Sequence, residues 1–579
     1  MHRVVLGAAV CICVAGTAWW LARGETRDAS ERPGSVSRLP ALQIAGPHRW
    51  ISCPRERPPP PATPVLEIVQ IDNGGGLPGC GDGSALTTVT PAFADERATV
   101  TLRYNVTAPG TVRTEVCANR LSGLAPVWSH TQQAGAGMHA VSWTVPPSTG
   151  TGTYAMSVSA TTSNGAATIG PCVTGGADRR GPVVRVVGID AAFDRRSYRP
   201  GQLARLSITA RASTIEAAMY LTGGGSQGGN DAGARQMLGA PITMTTRLAW
   251  GSPNRVRRGT VLLRLPAGLE SALYDLRLSA HGQVGYAPLV VGPRRPGTSR
   301  IAVVVPTNTW TAYNFADPEG DGLANTWYAG SLGTSTVQLG VPFINGGAPP
   351  QWYRSDFLAW LATHDLHPDL LTDDDLEAIP DERRLAKMYS GIIFAGHEEY
   401  VTAHEYDLIN GYRDLGGSLA FLSANSFFWR VDREGTTLRR IAQWRDLGRP
   451  EGALVGVQYA ANDAGRHRGP YRINDIDAAP WLFRGTGLHN GSTFGSYGVE
   501  FDMIGPASPP QTALLAQVDP HMPSGTVRGD MTFYRQGRSE VFAAGTESFF
   551  DSTASPIVDR MLMNLWNRWA ARTPPLGVS

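Results

Sequence analysis

The chain has 579 residues, of which 42 % are hydrophobic and 17 % are charged, and its formal net charge is +2. This length allows about three or four domains, and the near-neutral charge, without a basic stripe, argues against a nucleic-acid partner. Lysine occurs once, as Lys387, which excludes a phosphate-binding P-loop and leaves no other residue for a Schiff base.

The N-terminus carries an uncharged apolar run that predicts export. His2 and Arg3 precede Val4–Ala22, and a run of this length is either a cleaved export signal or a signal-anchor helix. The length and the Trp19-Trp20 pair at its outer end favour the anchor. We therefore expect residues 1–28 to form a signal or anchor and the remaining chain to be membrane-anchored in the cell envelope or secreted.

Cysteine usage agrees with an exported chain. Cys11 and Cys13 lie in the apolar run, and the four others are Cys53, Cys80, Cys117 and Cys172. Four thiols in an oxidising compartment predict two structural disulfides, and the sequence leaves all three pairings open.

Composition and strand patterns divide the rest of the chain. Residues 29–64 are rich in proline and arginine and are expected to form an extended stalk. Residues 65–182 and 183–294 show short alternating runs with turn residues about every ten positions, which predicts two β-sandwich domains. Residues 127–165 resemble immunoglobulin-like modules of bacterial surface and flagellar-hook proteins. We interpret both domains as spacers.

Residues 295–575 have a different pattern, which predicts an α/β doubly wound domain. Ile301–Val305 is a continuous β-branched run, typical of a strand buried on both faces of a parallel sheet. Ile392–Ala395 and Ser418–Leu422 predict two more strands with a helix between them, and Ile557–Ala571 predicts a final helix.

Polar and aromatic residues follow each of these strands. Thr307–Asn314 follows the first, His397–Tyr400 the second, and Ser423–Asn425 the third. Because open α/β sheets bind ligands at the carboxyl ends of their strands, we expect the functional site at this edge.

Other hydrolase chemistries fit these residues less well. Residues 295–575 contain no G-x-S-x-G motif, and residues 173–579 contain no cysteine. His397-Glu398 begins like the zinc motif H-E-x-x-H, but residue 401 is Val401. His404 could share a helix face with His397, so zinc stays a minor alternative with an incomplete ligand set.

The motifs NTWTAYN, GHEEY and GGSLAFLSANSFFWRV, in this order, resemble the large (beta) subunit of N,N-dimethylformamidase over roughly residues 301–571. The resemblance implies a class I glutamine-amidotransferase-like fold that has lost its cysteine nucleophile. It also implies a mononuclear iron (Fe3+) bound by Glu399, Tyr313 and Tyr353, with Tyr328 competing for the place of Tyr353. Phenolate and carboxylate oxygens are hard anionic ligands that suit ferric iron.

The resemblance also implies catalytic roles. It places His397 beside the metal and Asn425 against the substrate. His397 or Glu398 could transfer a proton to the leaving amine, and Asn425 could donate a hydrogen bond to the developing oxyanion. The lysine associated with the family has no counterpart here, because Lys387 lies outside every motif, and Arg445 is the candidate to replace it.

Some of these residues also have a structural interpretation. Glu399 could be an acidic residue favoured at the start of a helix, and Tyr313 could cover the edge of the sheet. We interpret Glu500 as structural, since isolated acids that flank an element usually are.

We therefore expect an exported or membrane-tethered, metal-dependent hydrolase of a non-peptide amide bond in a small molecule. A surface-anchored ligand- or glycan-binding protein with a catalytically inactive amidotransferase-like domain is the alternative from another class. An amidotransferase-like domain acting on sugars is a third hypothesis. The sequence leaves association into a homo-oligomer open.

Overall fold

The computed structural model describes residues between 66 and 577. The gaps in this range are 73–91, 95–98, 121–122, 147–148, 150–151, 170–182, 187–188, 211–213, 223–234, 238–241, 246–248, 252–255, 281–282, 315, 317–324, 328–334, 344–355, 463–466 and 520–526. The predicted apolar run and stalk therefore lie outside the described residues. In the described ranges, no helix is long and apolar enough to span a bilayer.

The first part of the described chain forms the N-terminal sheet pair. Its strands are Leu66–Asp72 (β1), Ala92–Ala94 (β2), Thr99–Val106 (β3), Gly110–Arg120 (β4), Gly123–Ala134 (β5), Gly137–Thr144 (β6), Gly152–Thr162 (β7), Gly165–Ile169 (β8) and Val183–Val186 (β9). One sheet has the order β1-β3-β6, and the other has β2-β9-β7-β4-β5 with β8 beside β7. Val100, Leu102 and Tyr104, at alternate positions of β3, share a core with Val112 and Val158 of the second sheet. This arrangement is sandwich-like, as predicted, because alternate residues of a strand face the same side.

The next strands form the middle sheet pair. They are Asp190–Phe193 (β10), Ser197–Tyr198 (β11), Leu203–Ala210 (β12), Thr214–Thr222 (β13), Arg235–Met237 (β14), Ile242–Thr245 (β15), Ala249–Gly251 (β16), Val256–Arg264 (β17), Ala272–Ala280 (β18) and Gln283–Val291 (β19). The two sheets have the orders β10-β12-β17-β16 and β11-β19-β18-β13-β14, with β15 beside β13. Leu206 and Ile208 of one sheet and Leu276 and Leu289 of the other belong to one buried core, so this pair is sandwich-like too.

Cys117 in β4 is disulfide-bonded, and the three other cysteines of the predicted bridges lie outside the described residues. The domain boundaries and the immunoglobulin-like topology stay predictions. Strand β9, which begins at the predicted boundary, pairs with β7 of the N-terminal sheet pair.

The remaining elements form the C-terminal region. Its strands are Ile301–Val305 (β20), Thr336–Gln338 (β21), Asp369–Thr372 (β22), Gly391–Phe394 (β23), Tyr400–Val401 (β24), Ser418–Phe421 (β25), Trp429–Glu434 (β26), Thr437–Gln443 (β27), Gln458–Asn462 (β28), Gly469–Ile473 (β29), Thr493–Tyr497 (β30), Glu500–Met503 (β31), Ala513–Val518 (β32), Gly529–Gln536 (β33) and Ser539–Ala543 (β34). Its described α-helices are Thr307–Ala312 (α1), Asp356–Thr363 (α2), Asp373–Glu377 (α3), Glu382–Met388 (α4), Ala403–Asp414 (α5), Gly452–Val455 (α6) and Pro556–Ala570 (α7). Short 3-10 helices occur at Trp444–Leu447 and Glu547–Phe549.

The predicted α/β doubly wound, amidotransferase-like arrangement is not supported. The described residues are mostly β-sheet with few helices, and the large sheet of this region has the order β22-β20-β23-β25-β34-β33-β32-β29-β30. Its first five strands are parallel, but its last four are antiparallel. A doubly wound sheet needs a crossover helix between successive parallel strands. Between β25 and β34 the chain instead forms the strands β26–β33. Four of them, β29, β30, β32 and β33, extend the large sheet with antiparallel pairs, and the other four belong to two further small sheets.

The parallel strands are nonetheless buried on both faces, as their composition predicts. Ile301, Val303 and Val305 of β20 pack in one core, together with helices α2 and α7. The alternate residues Ala302 and Val304 pack in a second core on the other face, with helices α4 and α5. Strand β20 therefore lies between two layers of helices and points its carboxyl end at the predicted site.

Candidate functional site at the strand ends

Three parallel strands of the large sheet end side by side. Val304 in β20 is opposite Phe394 in β23, and Phe394 is opposite Phe421 in β25. The chain leaves these ends as helix α1 and as the loops 395–399 and 422–428. The three motifs found in the sequence therefore meet at one edge of the sheet, where sheets with parallel strands bind ligands.

Glu399 lies at the centre of this edge and is 0 % exposed. Its carboxylate accepts a hydrogen bond from the Tyr313 hydroxyl, and its Oε2 is 3.2 Å from His397 Nε2. Its backbone N–H donates to Thr309 Oγ1 at 3.1 Å. Because Thr309 lies in α1 and Tyr313 is the residue that caps it, this helix orients both the main chain and the side chain of Glu399.

The loop after β25 is tied to the same residue. The Glu399 carbonyl accepts hydrogen bonds from the backbone N–H groups of Phe428, at 3.1 Å, and Trp429, at 2.9 Å. Strand β24, which begins at Tyr400, pairs with β26, which begins at Trp429. The loops that carry His397 and Asn425 therefore form one hydrogen-bonded unit.

Asn425 adopts a left-handed backbone conformation, with φ of 57°. Its backbone N–H donates to both carboxylate oxygens of Asp502, at 2.9 and 3.0 Å, and asparagine tolerates this conformation better than most residues. The side chain is 0 % exposed, yet neither Oδ1 nor Nδ2 has a hydrogen-bond partner in the described part of the chain. Buried amides are nearly always hydrogen-bonded, so this one is available to a ligand.

His397 lies between two carboxylates. Its Nε2 is 3.4 Å from Glu500 Oε2 in addition to its contact with Glu399. Burial alone would lower the pKa of His397, but Glu500 and Glu399 together raise it to about 10, so the imidazole carries a proton at neutral pH. Burial raises the pKa of Glu500 to about 8, and Asn462 Nδ2 donates to its other oxygen at 2.6 Å.

Two acidic residues near the site are not predicted from the sequence: Glu500 is interpreted as structural, and Asp502 is not considered. Both lie on β31, about a hundred residues after the motif that carries His397, and Glu500 matches no motif. Burial raises the pKa of Asp502 to about 7. Alternation along β31 predicts that Glu500 and Asp502 point to the same side, but only the fold shows that this side faces His397 and Asn425.

Tyr400 is a second phenol at the site. Its hydroxyl is 3.5 Å from the Tyr313 hydroxyl, and the two rings meet edge to face with centroids 5.7 Å apart. Trp327 also packs against Tyr400, at 4.9 Å between ring centroids. Both tyrosines are almost fully buried, so the Glu399 carboxylate lies in an aromatic pocket.

The structure does not bring Glu398 to this pocket. The neighbours of its buried carboxyl group are Asp373, Glu405 and Arg196. Burial, together with Asp373 and Glu405, raises the pKa of Glu398 well above its ordinary value. The catalytic role predicted for Glu398 stays a prediction, without a described contact to the pocket that supports it.

The other candidates fall into two groups. Tyr353 and Tyr328 lie outside the described residues. Arg445 donates to Glu451 and to the Tyr459 carbonyl, and its guanidinium lies 5.1 Å from the centre of the Phe428 ring.

The zinc alternative gains no support. His404 bonds the Ile379 carbonyl at 2.8 Å, rather than approaching His397. Among the described residues, no group of three or more His, Cys, Asp and Glu side chains is arranged to hold a metal ion. The ligand set that the resemblance implies contains only one such residue, Glu399, because its other members are tyrosines.

A comparison with family models agrees with the motifs that converge here. Residues 258–557, which are 300 of the 579 residues, match the family described as N,N-dimethylformamidase beta subunit-like, C-terminal. No curated protein matches the chain. The match begins in β17 of the middle sheet pair and continues through the C-terminal region to the start of α7, so it includes every described residue of the pocket. On this match, the chain belongs to the N,N-dimethylformamidase beta subunit-like, C-terminal family.

Proposed function

We propose that the chain is a hydrolase of a non-peptide amide bond in a small molecule, and that it uses a mononuclear iron bound at Glu399. The observation that carries this proposal is the contact between the Tyr313 hydroxyl and the buried Glu399 carboxylate. The two residues are 86 positions apart in the sequence. The family to which the chain belongs supports the class of reaction.

The residues present fit a ferric ion. Tyr313 and Glu399 place two hard oxygen donors in contact, with 4 % and 0 % exposure, and ferric iron prefers such donors. Both would hold the ion, and Tyr353 is the third ligand that the family resemblance implies. A ferric ion bound there supplies Lewis acidity toward a carbonyl oxygen and toward water.

Asn425 and the His397–Glu500 pair supply the rest of the chemistry. The free Nδ2 of Asn425 donates a hydrogen bond to the oxygen of the amide carbonyl as negative charge develops on it. His397 holds a proton on Nε2 between two carboxylates and donates it to the leaving amine. The attacking water gives a proton to the Glu500 carboxylate, and Glu500 returns it to His397, because Glu500 Oε2 lies 3.4 Å from the same nitrogen.

The test is a metal analysis of the purified full-length chain and of two matched variants. We expect about one iron per chain in the wild type, loss of most of it in Glu399→Gln, and retention in Glu398→Gln, because residue 399 and not residue 398 supplies an anionic ligand. A wild-type chain that contains no iron after expression with added iron would refute the metal-dependent mechanism.

Activity is measured as release of dimethylamine from N,N-dimethylformamide and of the corresponding amines from other small tertiary amides. We expect release by the wild type and release roughly a thousandfold slower by Glu399→Gln. Saturable binding of such an amide without turnover, in a chain free of metal, would favour the alternative of a binding protein with an inactive domain.

The location of the chain is part of the proposal. The apolar run Val4–Ala22 is the reason to expect export or tethering, and the disulfide at Cys117 supports an oxidising compartment. Fractionation of cells that produce the full chain tests this, since we expect the protein in the envelope or the medium. Recovery of the whole chain from the cytoplasm would contradict it.

A further inference from the structure

An arginine of the middle sheet pair reaches into the C-terminal region. Arg196 lies between β10 and β11, and its side chain is only 11 % exposed. Its Nη1 donates to Asn308 Oδ1 at 2.8 Å, and its Nη2 forms an ion pair with Asp374. The two regions are also continuous in their cores, because Leu273 and Val290 belong to the same buried cluster as β20.

The residue that Arg196 contacts fixes the start of helix α1. Asn308 has its side-chain oxygen on Arg196, its Nδ2 3.4 Å from Glu405 Oε2, and its backbone N–H on Asp373 at 2.8 Å. The residue at the N-terminus of the helix is Pro306, whose side chain makes no capping hydrogen bond. A helix of six residues is not stable alone, so these tertiary contacts determine where it lies.

The same helix determines where Glu399 lies. Thr309 receives the backbone N–H of Glu399, and Tyr313, at the end of the helix, donates to its carboxylate. Contacts of Arg196 and Asn308 therefore fix the first turn of helix α1. The end of the same helix, through Tyr313, positions the Glu399 carboxylate.

Arg196 is also close to Glu398 and to the acidic residues that surround it. It interacts electrostatically with Glu398 and Glu405, and Asp373 and Asp374 also lie near it. Removing the guanidinium leaves these carboxyl groups without that charge, and uncompensated buried charge is costly. Since Glu398 adjoins Glu399, the loop that carries both would shift.

We propose that Arg196 is a positioning residue for the Glu399 pocket, so that the middle sheet pair is a working part of the site and not a spacer. The role in metal binding rests on the function proposed above. The role in ordering helix α1 does not depend on any metal.

The experiment compares Arg196→Met with Arg199→Met in the full-length chain. Arg199 is the matched control, because it makes an ion pair with Asp375 across the same interface, at 2.8 Å, but bonds helix α3 rather than α1. The first measurement is amide hydrogen exchange in residues 306–314 and 396–400. We expect at least about tenfold faster exchange in these two segments for Arg196→Met and no selective change for Arg199→Met.

The second measurement is iron content and the visible absorption of the iron–phenolate site. We expect Arg196→Met to lower both the iron content and the visible absorption. Arg196→Lys should recover part of the loss, since lysine keeps the charge but cannot contact Asn308 and Asp374 at the same time. If Arg196→Met does not fold, Arg196→Lys serves as the test variant in the exchange measurement.

Two results overturn the inference. One is equal exchange in residues 306–314 for the Arg196 and Arg199 variants, and the other is faster exchange spread evenly over the chain. A wild type without iron would refute the proposed function alone, because the exchange measurement still decides whether Arg196 orders helix α1.

Discussion

Glu398 and Glu399 are identical side chains at consecutive positions, yet they face two different regions of the molecule. Glu399 meets the phenol of Tyr313 and the imidazole of His397. Glu398 meets carboxyl groups, with the guanidinium of Arg196 as their nearby cation. One residue step therefore separates two different chemical environments.

The difference shows what each side needs from its carboxyl group. The Glu399 pocket offers hydrogen-bond donors and is suited to an anionic carboxylate. Glu398 is surrounded by more carboxyl groups than cations, so the protonated form of its carboxyl group is favoured. Function is therefore expected to depend on charge at residue 399 and on shape and hydrogen bonding at residue 398.

The largest effect is expected for Glu399→Gln, which keeps the shape of the side chain and removes its charge. Loss of an anionic metal ligand should lower turnover by roughly a thousandfold, equivalent to about 4 kcal/mol. Thermal unfolding should change little, because the amide oxygen still accepts the hydrogen bond from Tyr313. Steady-state kinetics at saturating amide measure the effect, and a variant with near wild-type turnover would show that the pocket does not use this carboxylate.

The next largest effect is expected among the neighbours of Glu398, for Asp373→Ala. Asp373 is 1 % exposed and accepts hydrogen bonds from the Thr307 hydroxyl and the Asn308 backbone N–H. Leaving both donors unpaired should lower the free energy of unfolding by about 3 kcal/mol. Asp373→Asn is the control, because its side-chain oxygen keeps an acceptor and should lose about half as much. Denaturant titration measures both, and equal losses would show that these hydrogen bonds do not stabilise helix α1.

A smaller effect is expected from a change of pH, at the contact between Asp374 and Arg196 of the middle sheet pair. Burial alone would raise the pKa of Asp374, but Arg196 and Arg433 lower it from an ordinary value of 3.8 to about 2. A carboxyl group whose pKa is lower in the folded state than in the unfolded state stabilises the fold at pH values above its unfolded-state pKa. For Asp374 this stabilisation is roughly 2 kcal/mol, and it is lost as the pH falls from about 4 to about 2.

The measurement is the difference in unfolding free energy between the wild type and Asp374→Asn. We expect a difference of about 2 kcal/mol at pH 6, falling to about half at pH 3, because the variant has no carboxylate to protonate. A difference that grows on acidification would mean that the sign of the pKa shift is wrong.

The sequence alone predicts the elements of this site better than their assembly. Strands β20, β23 and β25 are continuous buried runs, so composition identifies them, and residues that follow parallel strands meet at one edge. The family resemblance pairs Tyr313 with Glu399, but nothing local predicts that Glu500 and Asp502 join them. That contact depends on where β31 lies, and strands of the segment 429–536 do not reveal by pattern which sheet they enter.

The same limit explains the fold-level error. Alternating strands after β25 are compatible with extension of the parallel sheet or with an antiparallel insertion, and only pairing partners distinguish the two. The interpretation of the middle sheet pair as a spacer fails to anticipate Arg196 for a related reason. A single arginine near a turn is an ordinary surface residue in a sequence, and its contacts with Asn308 and Asp374 exist only after two regions pack.

The smallest effect is expected for Glu398→Gln, and it tests the comparison most directly. If the Glu398 carboxyl group carries a proton among its acidic neighbours, glutamine reproduces both its shape and its lack of charge. The free energy of unfolding should then change by less than about 1 kcal/mol, and iron content should stay at the wild-type level. Denaturant titration of Glu398→Gln beside Glu399→Gln measures this. A large loss of turnover with normal stability would support a catalytic role for Glu398, because replacing a purely structural residue would not lower turnover while leaving stability unchanged.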